Sequence, residues 1–354
     1  MNATAAGISD LETAEGLLNL RDSRALAAFH LAEDAGADPD RCAAGRWTAH
    51  MLAGDFASAW LESDAIRLRG APDPHRMWNG APLKGPRVIV RCLHGLGDTI
   101  QFLQYVPRLL GLAPEIICEV PPALFELATC FKGVHHAITW GSLAPSHPVP
   151  FDSQVEVMEL PYMFRTELRD LPISENYLRL PPSRRDTVGK TMGTSRAPRV
   201  GVVWAGGDWN VSRSIPFPLF RELFFEAGCE FWNLQGGIAQ VEWNRLPFST
   251  HLRESADLGS GLMKLACVIS QLDLIITVDT LAAHLAGAMA IPAWVLLQYA
   301  ADWRWMAHGD TTSWYSSLRL FRQPTPGDWS SLIKQTREEL HIWIQACNRP
   351  RQIT

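Results

Sequence analysis

The sequence predicts an α/β protein with two parallel-sheet domains, preceded by a short helical segment. Three observations carry this reading. From Val88 onward, apolar and β-branched runs alternate with helical stretches, the signature of βαβ units. A polar stretch from Pro181 to Pro198 interrupts the alternation, which restarts at Val200. The run from Leu272 to Thr280 is continuous enough for a strand buried on both faces, and it passes directly into the Ala- and Leu-rich helical run Leu281 to Gly287. The expected division is a helical segment (1–75), a first Rossmann-like domain (76–180), a linker (181–198), a second Rossmann-like domain (199–325) and a closing helix (326–354).

Composition narrows the function classes. The 354 residues are 47% apolar and 19% charged, enough for large cores and against global disorder. A net charge of −5 without any Lys/Arg run argues against a nucleic-acid partner. The seven scattered cysteines contain no Cys-x-x-Cys and fit buried free thiols in a reducing compartment. Asp10, Glu12 and Glu15 stand where a signal peptide needs basic and apolar residues. The expectation is a cytoplasmic protein with at most peripheral membrane association.

Residues up to about 70 place Leu17, Leu18, Leu26, Phe29 and Leu31, then Trp47, Met51, Leu52, Phe56 and Trp60, at helical spacing. Asp22 and Asp55 open comparable helices, and Pro39 and Pro72 follow them at the same spacing. That period is close to the ~34 residues of tetratricopeptide helix pairs. Two such units at most would pack on the following domain, and these helices are a candidate surface for a protein partner. A boundary at Ala71–Pro74 follows. Strands are expected at Val88–Leu93, Glu115–Val120 and His136–Trp140, with helices at Thr99–Leu110 and Pro122–Cys130 between them; Phe151–Leu178 reads as part strand, part broken helix. In the second domain, strands are expected at Val200–Trp204, Phe231–Gln235, 272–280 and Ala293–Leu297. Helices are expected from Pro216 to Ala227, from Leu262 to Leu272 and from Trp329 to Ala346.

Four loops carry candidate chemistry. His94-Gly95-Leu96-Gly97-Asp98 supplies Gly-x-Gly but has Ile100 where a dinucleotide fingerprint needs its third glycine, so NAD binding is rejected. It leaves a backbone open to a ligand at Gly97 and a carboxylate, Asp98, that is either a general base or a helix cap. Ala205-Gly206-Gly207-Asp208-Trp209-Asn210 with Arg213 is the matching loop of the second domain, where Gly206 and Gly207 admit a phosphate and Arg213 offers a planar fork. Asp279-Thr280 precedes a helix whose free N–H groups and positive dipole end suit phosphate, with His284 on the same face. The alternative is that Asp279 or Thr280 only caps the helix and His284 is a packed core histidine. Asp302-Trp303-Arg304-Trp305 and Ser313-Trp314-Tyr315 supply aromatic faces for a sugar or for packing. No Ser/His/Asp triad, nucleophile elbow, Walker loop or metal-ligand spacing is present.

His-Gly-Leu-Gly-Asp-Thr-Ile-Gln-Phe-Leu-Gln-Tyr-Val-Pro (94–107), Arg-Ser-Ile-Pro (213–216), Val-Asp-Thr-x-x-x-His-Leu-Ala-Gly (278–287) and Asp-Trp-Arg-Trp (302–305) together resemble bacterial tetratricopeptide-linked glycosyltransferases related to the ADP-heptose:lipopolysaccharide heptosyltransferases. The resemblance implies a GT-B fold, with the donor held mainly by the second domain. It also implies metal-independent, inverting transfer from a nucleotide-diphosphate sugar, without a further cofactor. It assigns Asp98 as general base. Gly97, Gly206, Gly207, Arg213, Gln235, Asp279, Thr280 and His284 become donor- or phosphate-binding, and Asn210, Asp302, Trp303 and Arg304 sugar or acceptor contacts. Thr280 and Leu281 stand where the heptosyltransferase block has serine and glycine, so heptose itself is not carried over. The acceptor expected is a hydroxyl of a cell-surface, lipopolysaccharide-like glycan. The alternatives are a protein hydroxyl held by the N-terminal helices, and a non-catalytic scaffold with a relic core.

Overall fold

The computed structural model describes residues 4–70, 76–141, 150–172, 176–247, 249–255, 258 and 260–348. The expected boundary at Ala71–Pro74 lies outside the described residues. Four helices come first: α1 (Ala5–Asn19), α2 (Ala25–Asp34), α3 (Pro39–Ala53) and α4 (Phe56–Arg69). Side-chain caps start three of them. Thr4 accepts from Gly7 N–H, Asp38 from Asp40 and Arg41 with Pro39 in the first turn, and Asp55 from Ser58. The buried Arg46 guanidinium binds Glu33 of α2 at 2.5 Å and Glu62 of α4 at 2.7 Å, tying three helices together.

The first domain is a four-stranded parallel sheet of β1 (Arg87–Arg91), β2 (Glu115–Val120), β3 (His136–Thr139) and β4 (Ser153–Glu156), in the order β3-β2-β1-β4. The second is a six-stranded parallel sheet of β5 (Arg199–Val203), β6 (Glu230–Asn233), β7 (Leu252–Glu254), β8 (Leu274–Val278), β9 (Ala293–Leu297) and β10 (Leu318–Arg322). Its order is β10-β9-β8-β5-β6-β7. In both sheets the strand order reverses beside the first strand, between β1 and β4 and between β5 and β8. Such a reversal opens a crevice at the carboxyl ends of the strands. The expected strands all form. β7 and β10 are additions, the first only three residues long and the second punctuated by Arg319 and Arg322.

One expectation is corrected. The polar stretch 181–198, expected as a linker without regular structure, carries a helix over Pro182–Met192. Pro182 suits a helix start, Thr187 and Thr191 return hydrogen bonds to Ser183 and Thr187 carbonyls, and Val188 is buried against the helix Leu262–Ile269. With a single buried apolar side chain, the segment has no periodicity to read. The terminal helix Trp329–Asn348 packs Leu332, Ile333, Leu340 and Ile344 with Phe220, Phe231 and Phe321 of the second domain.

The N-terminal helices reach both domains. Trp60 donates its indole N–H to Thr166 O at 2.8 Å, and Asp64 binds Arg165 at 2.7 Å and Tyr162 O–H at 2.5 Å, all in the first domain. Phe56 stacks on Trp314 of the second at 6.1 Å. These rings join one apolar cluster that runs from Met51 through both sheets to Leu320. Phe56, 2% exposed, is therefore a shared core residue. Phe56→Ala is expected to destabilise the chain by about 3–5 kcal/mol. Urea unfolding followed by far-ultraviolet circular dichroism and tryptophan fluorescence should show one transition shifted downward. Loss of a separate early helical transition alone would mean that the helices form an independent unit.

Candidate functional site

The crevice is framed by two helices that follow the central strands. Leu96–Phe102, after β1, packs against Leu281–Ala288, after β8. A side chain at Gly97 would bring its Cβ to 2.8 Å from Cδ2 of His284, so only glycine permits this approach. The loop bearing Gly95 is fixed from beneath by Glu156 at the end of β4. That buried carboxylate accepts from Leu93 N–H at 3.2 Å and Met158 N–H at 2.6 Å, and lies 3.0 Å from His94 Nδ1.

Asp98 and Arg304 meet across the crevice. Arg304, nearly buried, donates from Nη2 to Asp98 Oδ1 at 2.5 Å and from Nε to Gln101 Oε1 at 2.8 Å, and its Nη1 forms an ion pair with Asp302 Oδ1 at 2.8 Å. Burial alone would lower its pKa, but Asp302, Asp98 and Asp279 outweigh burial and raise it, so the guanidinium is locked in its charged form. The second carboxylate oxygen of Asp98 faces Gly95 and accepts no hydrogen bond among the described residues. Asp98 therefore presents one anchored and one unclaimed oxygen at a helix N-terminus.

Arg213 lies on the floor of the second domain's loop. Its guanidinium sits 4.3 Å above the Trp209 ring and against Gly206, where an added Cβ would meet Nε at 2.5 Å. Burial lowers its pKa, opposed by Asp279, Asp302 and Asp98. An arginine stays charged under such a shift. Its Nε is buried without a hydrogen-bond partner among the described residues. A buried orphan donor on a charged side chain is costly unless a ligand completes it. Gln235 shapes this loop from below: Oε1 accepts from Trp204 N–H at 3.1 Å and Ala205 N–H at 2.9 Å, and Nε2 donates to Ala205 O and Gly236 O. Gln235 thus positions Gly206 and Gly207. Asn210 Oδ1 accepts from Ser212 Oγ at 2.6 Å, and Ser212 Oγ lies 2.6 Å from Gln298 Oε1 at the end of β9.

At the β8 junction, Thr280 caps the following helix through Ala282 N–H, and its hydroxyl lies 2.9 Å from that of Thr277. Asp279 is partly open to the crevice. Its pKa is raised, first by burial and then by Asp302, against Arg304, the Trp305 indole and Arg213, which lower it. His284 occupies the packed position that the sequence left as the alternative. It is 4% exposed, 2.9 Å from the Tyr315 hydroxyl through Nδ1, and stacked on Trp305 at 5.6 Å. Burial, with Arg304 and Arg213 adding to it, pushes its pKa well below the usual histidine value, so it contributes no positive charge. Trp303 is likewise a packing residue, stacked on Phe102 at 6.3 Å and edge-on to Trp47 at 5.2 Å and Trp314 at 6.0 Å.

The structure thus brings Asp98, Arg213, Asp279, Asp302 and Arg304 into one charged cluster. Thr280, Gln235 and Asn210 support its rim, and His284 and Trp303 lie behind it. Gln101 is not singled out by the sequence, and Tyr315 only as one ring of the aromatic stretch Ser313-Trp314-Tyr315. Gln101 stands three residues after Asp98, on the same helical face, a spacing that could have pointed to it. Among the described residues, no group of three His, Cys, Asp or Glu side chains is arranged to hold a metal ion, and no helix is long and apolar enough to cross a membrane.

Solved structures share this architecture. Escherichia coli ADP-heptose lps heptosyltransferase II superposes with a TM-score of 0.54 at 14% identity, covering 73% of this chain and 99% of that one. A glycosyl transferase family 9 protein from Veillonella parvula gives 0.53 at 12% identity, covering 74% and 98%. The fold is GT-B. The region of likeness leaves about a quarter of the chain outside it. No family model matches the sequence. Protein FlbA of Caulobacter vibrioides is 25% identical over 290 residues, 75% of this chain and 48% of FlbA, so the chain spans about half the length of that curated relative.

Because its pKa is raised, the Asp279 carboxylate holds a proton more readily in the folded state than in the unfolded one. Its unfavourable contribution to stability is absent below the unfolded carboxyl pKa and grows as pH rises through the folded value. Asp279→Asn is therefore expected to raise the melting temperature at pH 7 and to converge with the parent near pH 4. Scanning calorimetry showing equal melting temperatures at both pH values would count against this assignment.

Proposed function

We propose that the chain is a glycosyltransferase that moves a sugar from a nucleoside-diphosphate donor to a hydroxyl acceptor. The observation that carries this reading is the pairing of Asp98, with an unclaimed oxygen, and Arg213, with an orphaned Nε, on opposite walls of one GT-B crevice. One wall offers a proton acceptor, and the other offers charge for a departing phosphate. The GT-B likeness to heptosyltransferase II, a protein named for ADP-heptose, supports the donor class. It also favours a cell-surface glycan as acceptor.

In this mechanism Asp98 takes the proton of the acceptor hydroxyl on its free oxygen. The acceptor oxygen attacks the anomeric carbon from the face opposite the diphosphate, a bond forms there, and the carbon–oxygen bond to phosphate breaks. Configuration is inverted. The electron pair leaves on the nucleoside diphosphate, where Arg213 and the N-terminus of the helix Leu281–Ala288 stabilise it. Arg304 orients Asp98 and offsets part of the charge of the three carboxylates beside it. The Arg213 guanidinium supplies charge stabilisation of the kind that a metal ion provides in other transferases, which supports metal-independent transfer.

A panel of nucleoside diphosphates and their sugars in a thermal-shift assay is the first test. At least one is expected to raise the melting temperature by mass action. No shift across the panel would favour a non-catalytic scaffold instead. With the donor that binds, Asp98→Asn should lower turnover by about 10²–10⁴ while leaving donor affinity in place; unchanged turnover removes Asp98 from the role. Arg213→Ala should weaken diphosphate affinity by roughly 1.5–3 kcal/mol in titration calorimetry. Equal affinity would refute the phosphate contact.

A further inference from the structure

The loop that carries Arg304 runs from Gln298 to His308 and has little regular structure of its own beyond the short turn Trp303–Trp305. It closes on Met306 with a positive φ of 56°, a backbone state that a methionine adopts only when its surroundings impose it. Two sets of contacts hold the loop. From its own domain, Arg322 of β10 donates to the carbonyls of Trp305, Met306 and Gly309. The other set comes from the N-terminal helices. Arg21 donates to Ala301 O, the Tyr299 hydroxyl donates to Leu20 O at 3.1 Å, and Ala307 N–H donates to Leu52 O at 3.0 Å. Trp47 of α3 meets the Trp303 ring edge-on at 5.2 Å. Trp303 in turn lies 5.3 Å from the Arg304 guanidinium, which holds Asp98 and Gln101 of the first domain.

We infer that the N-terminal helices are a working part of the crevice: Trp47, acting through Trp303, is a positioning residue that sets Arg304 against Asp98. The inference rests on the transferase reading for its kinetic consequence, but its structural consequence stands apart from it. The chain of contacts passes from a helix outside the two-domain core to the proton acceptor through only two intermediate side chains. Trp303 is wedged between Trp47, Phe102 and Trp314, so removing the Trp47 face leaves it free to tilt, and Arg304 moves with it. A general base misplaced by about 1 Å loses much of its effect, which makes such a support worth keeping.

The test compares the full chain with its Trp47→Ala and Trp47→Phe variants by hydrogen–deuterium exchange and by steady-state kinetics. Kinetics use the nucleotide sugar that the thermal-shift panel selects. In Trp47→Ala, amides of 298–308 should exchange severalfold faster while strands β9 and β10 keep their protection. Turnover should fall at least about tenfold with donor KM within about twofold, and Trp47→Phe should recover most of both changes. Tyr299→Phe removes a single hydroxyl contact, so it keeps the test open if Trp47→Ala fails to fold, and it should show the same pattern in milder form. A lower melting temperature with parental exchange over 298–308, or faster loop exchange with parental turnover, overturns the inference. If no nucleotide sugar is turned over by the parent chain, the transferase reading fails separately, and loop exchange alone decides whether Trp47 holds the loop.

Discussion

The Arg304 guanidinium is the tie on which the crevice depends. It is nearly buried and belongs to the second domain, yet two of its three partners, Asp98 and Gln101, belong to the first. Removing Arg304 would leave Asp98 and Asp302 facing each other without their shared cation. The pair therefore fixes where the two sheet edges face each other. It also fixes the orientation of the Asp98 carboxylate, the proposed base. The same contact that joins the domains aims the candidate base.

Around that tie the molecule is arranged in layers of support. Glu156 holds the Gly95 loop from the first sheet, Gln235 holds the Gly206 loop from the second, and Gly97 lets the two central helices touch at His284. The charges are less comfortable. Three carboxylates and two guanidiniums share the crevice, Asp279 is pushed toward protonation, and Arg213 keeps a donor unsatisfied. Stability is given up locally at the candidate site and recovered in the apolar cluster shared by the helices and both sheets.

The fold was legible where burial is symmetrical. β8 and β9 are near-continuous apolar runs because both faces are covered, and their limits in the structure fall within two residues of those expected. It was illegible where a helix is polar: Pro182–Met192 buries little beyond Val188, so nothing in its sequence has a period. At the site, local signals pointed to Asp98 and Arg213, which stand in or beside glycine-rich turns after strands, and the structure places both in the crevice. They could not decide His284, because helical spacing gives the face of a side chain but not what covers it. The Asp98–Arg304 pair joins residues 206 positions apart, and Trp47 meets Trp303 from a different segment altogether. No local pattern encodes contacts that exist only after three segments have docked.

A double-mutant cycle on Asp98→Asn and Arg304→Gln, followed by urea unfolding, measures the central interaction without requiring a substrate. A coupling energy of at least about 1 kcal/mol is expected for a hydrogen-bonded ion pair with a buried guanidinium across the domain contact. Single-mutant effects that add to within about 0.5 kcal/mol would contradict it, and would mean that the two domains are held together by packing alone.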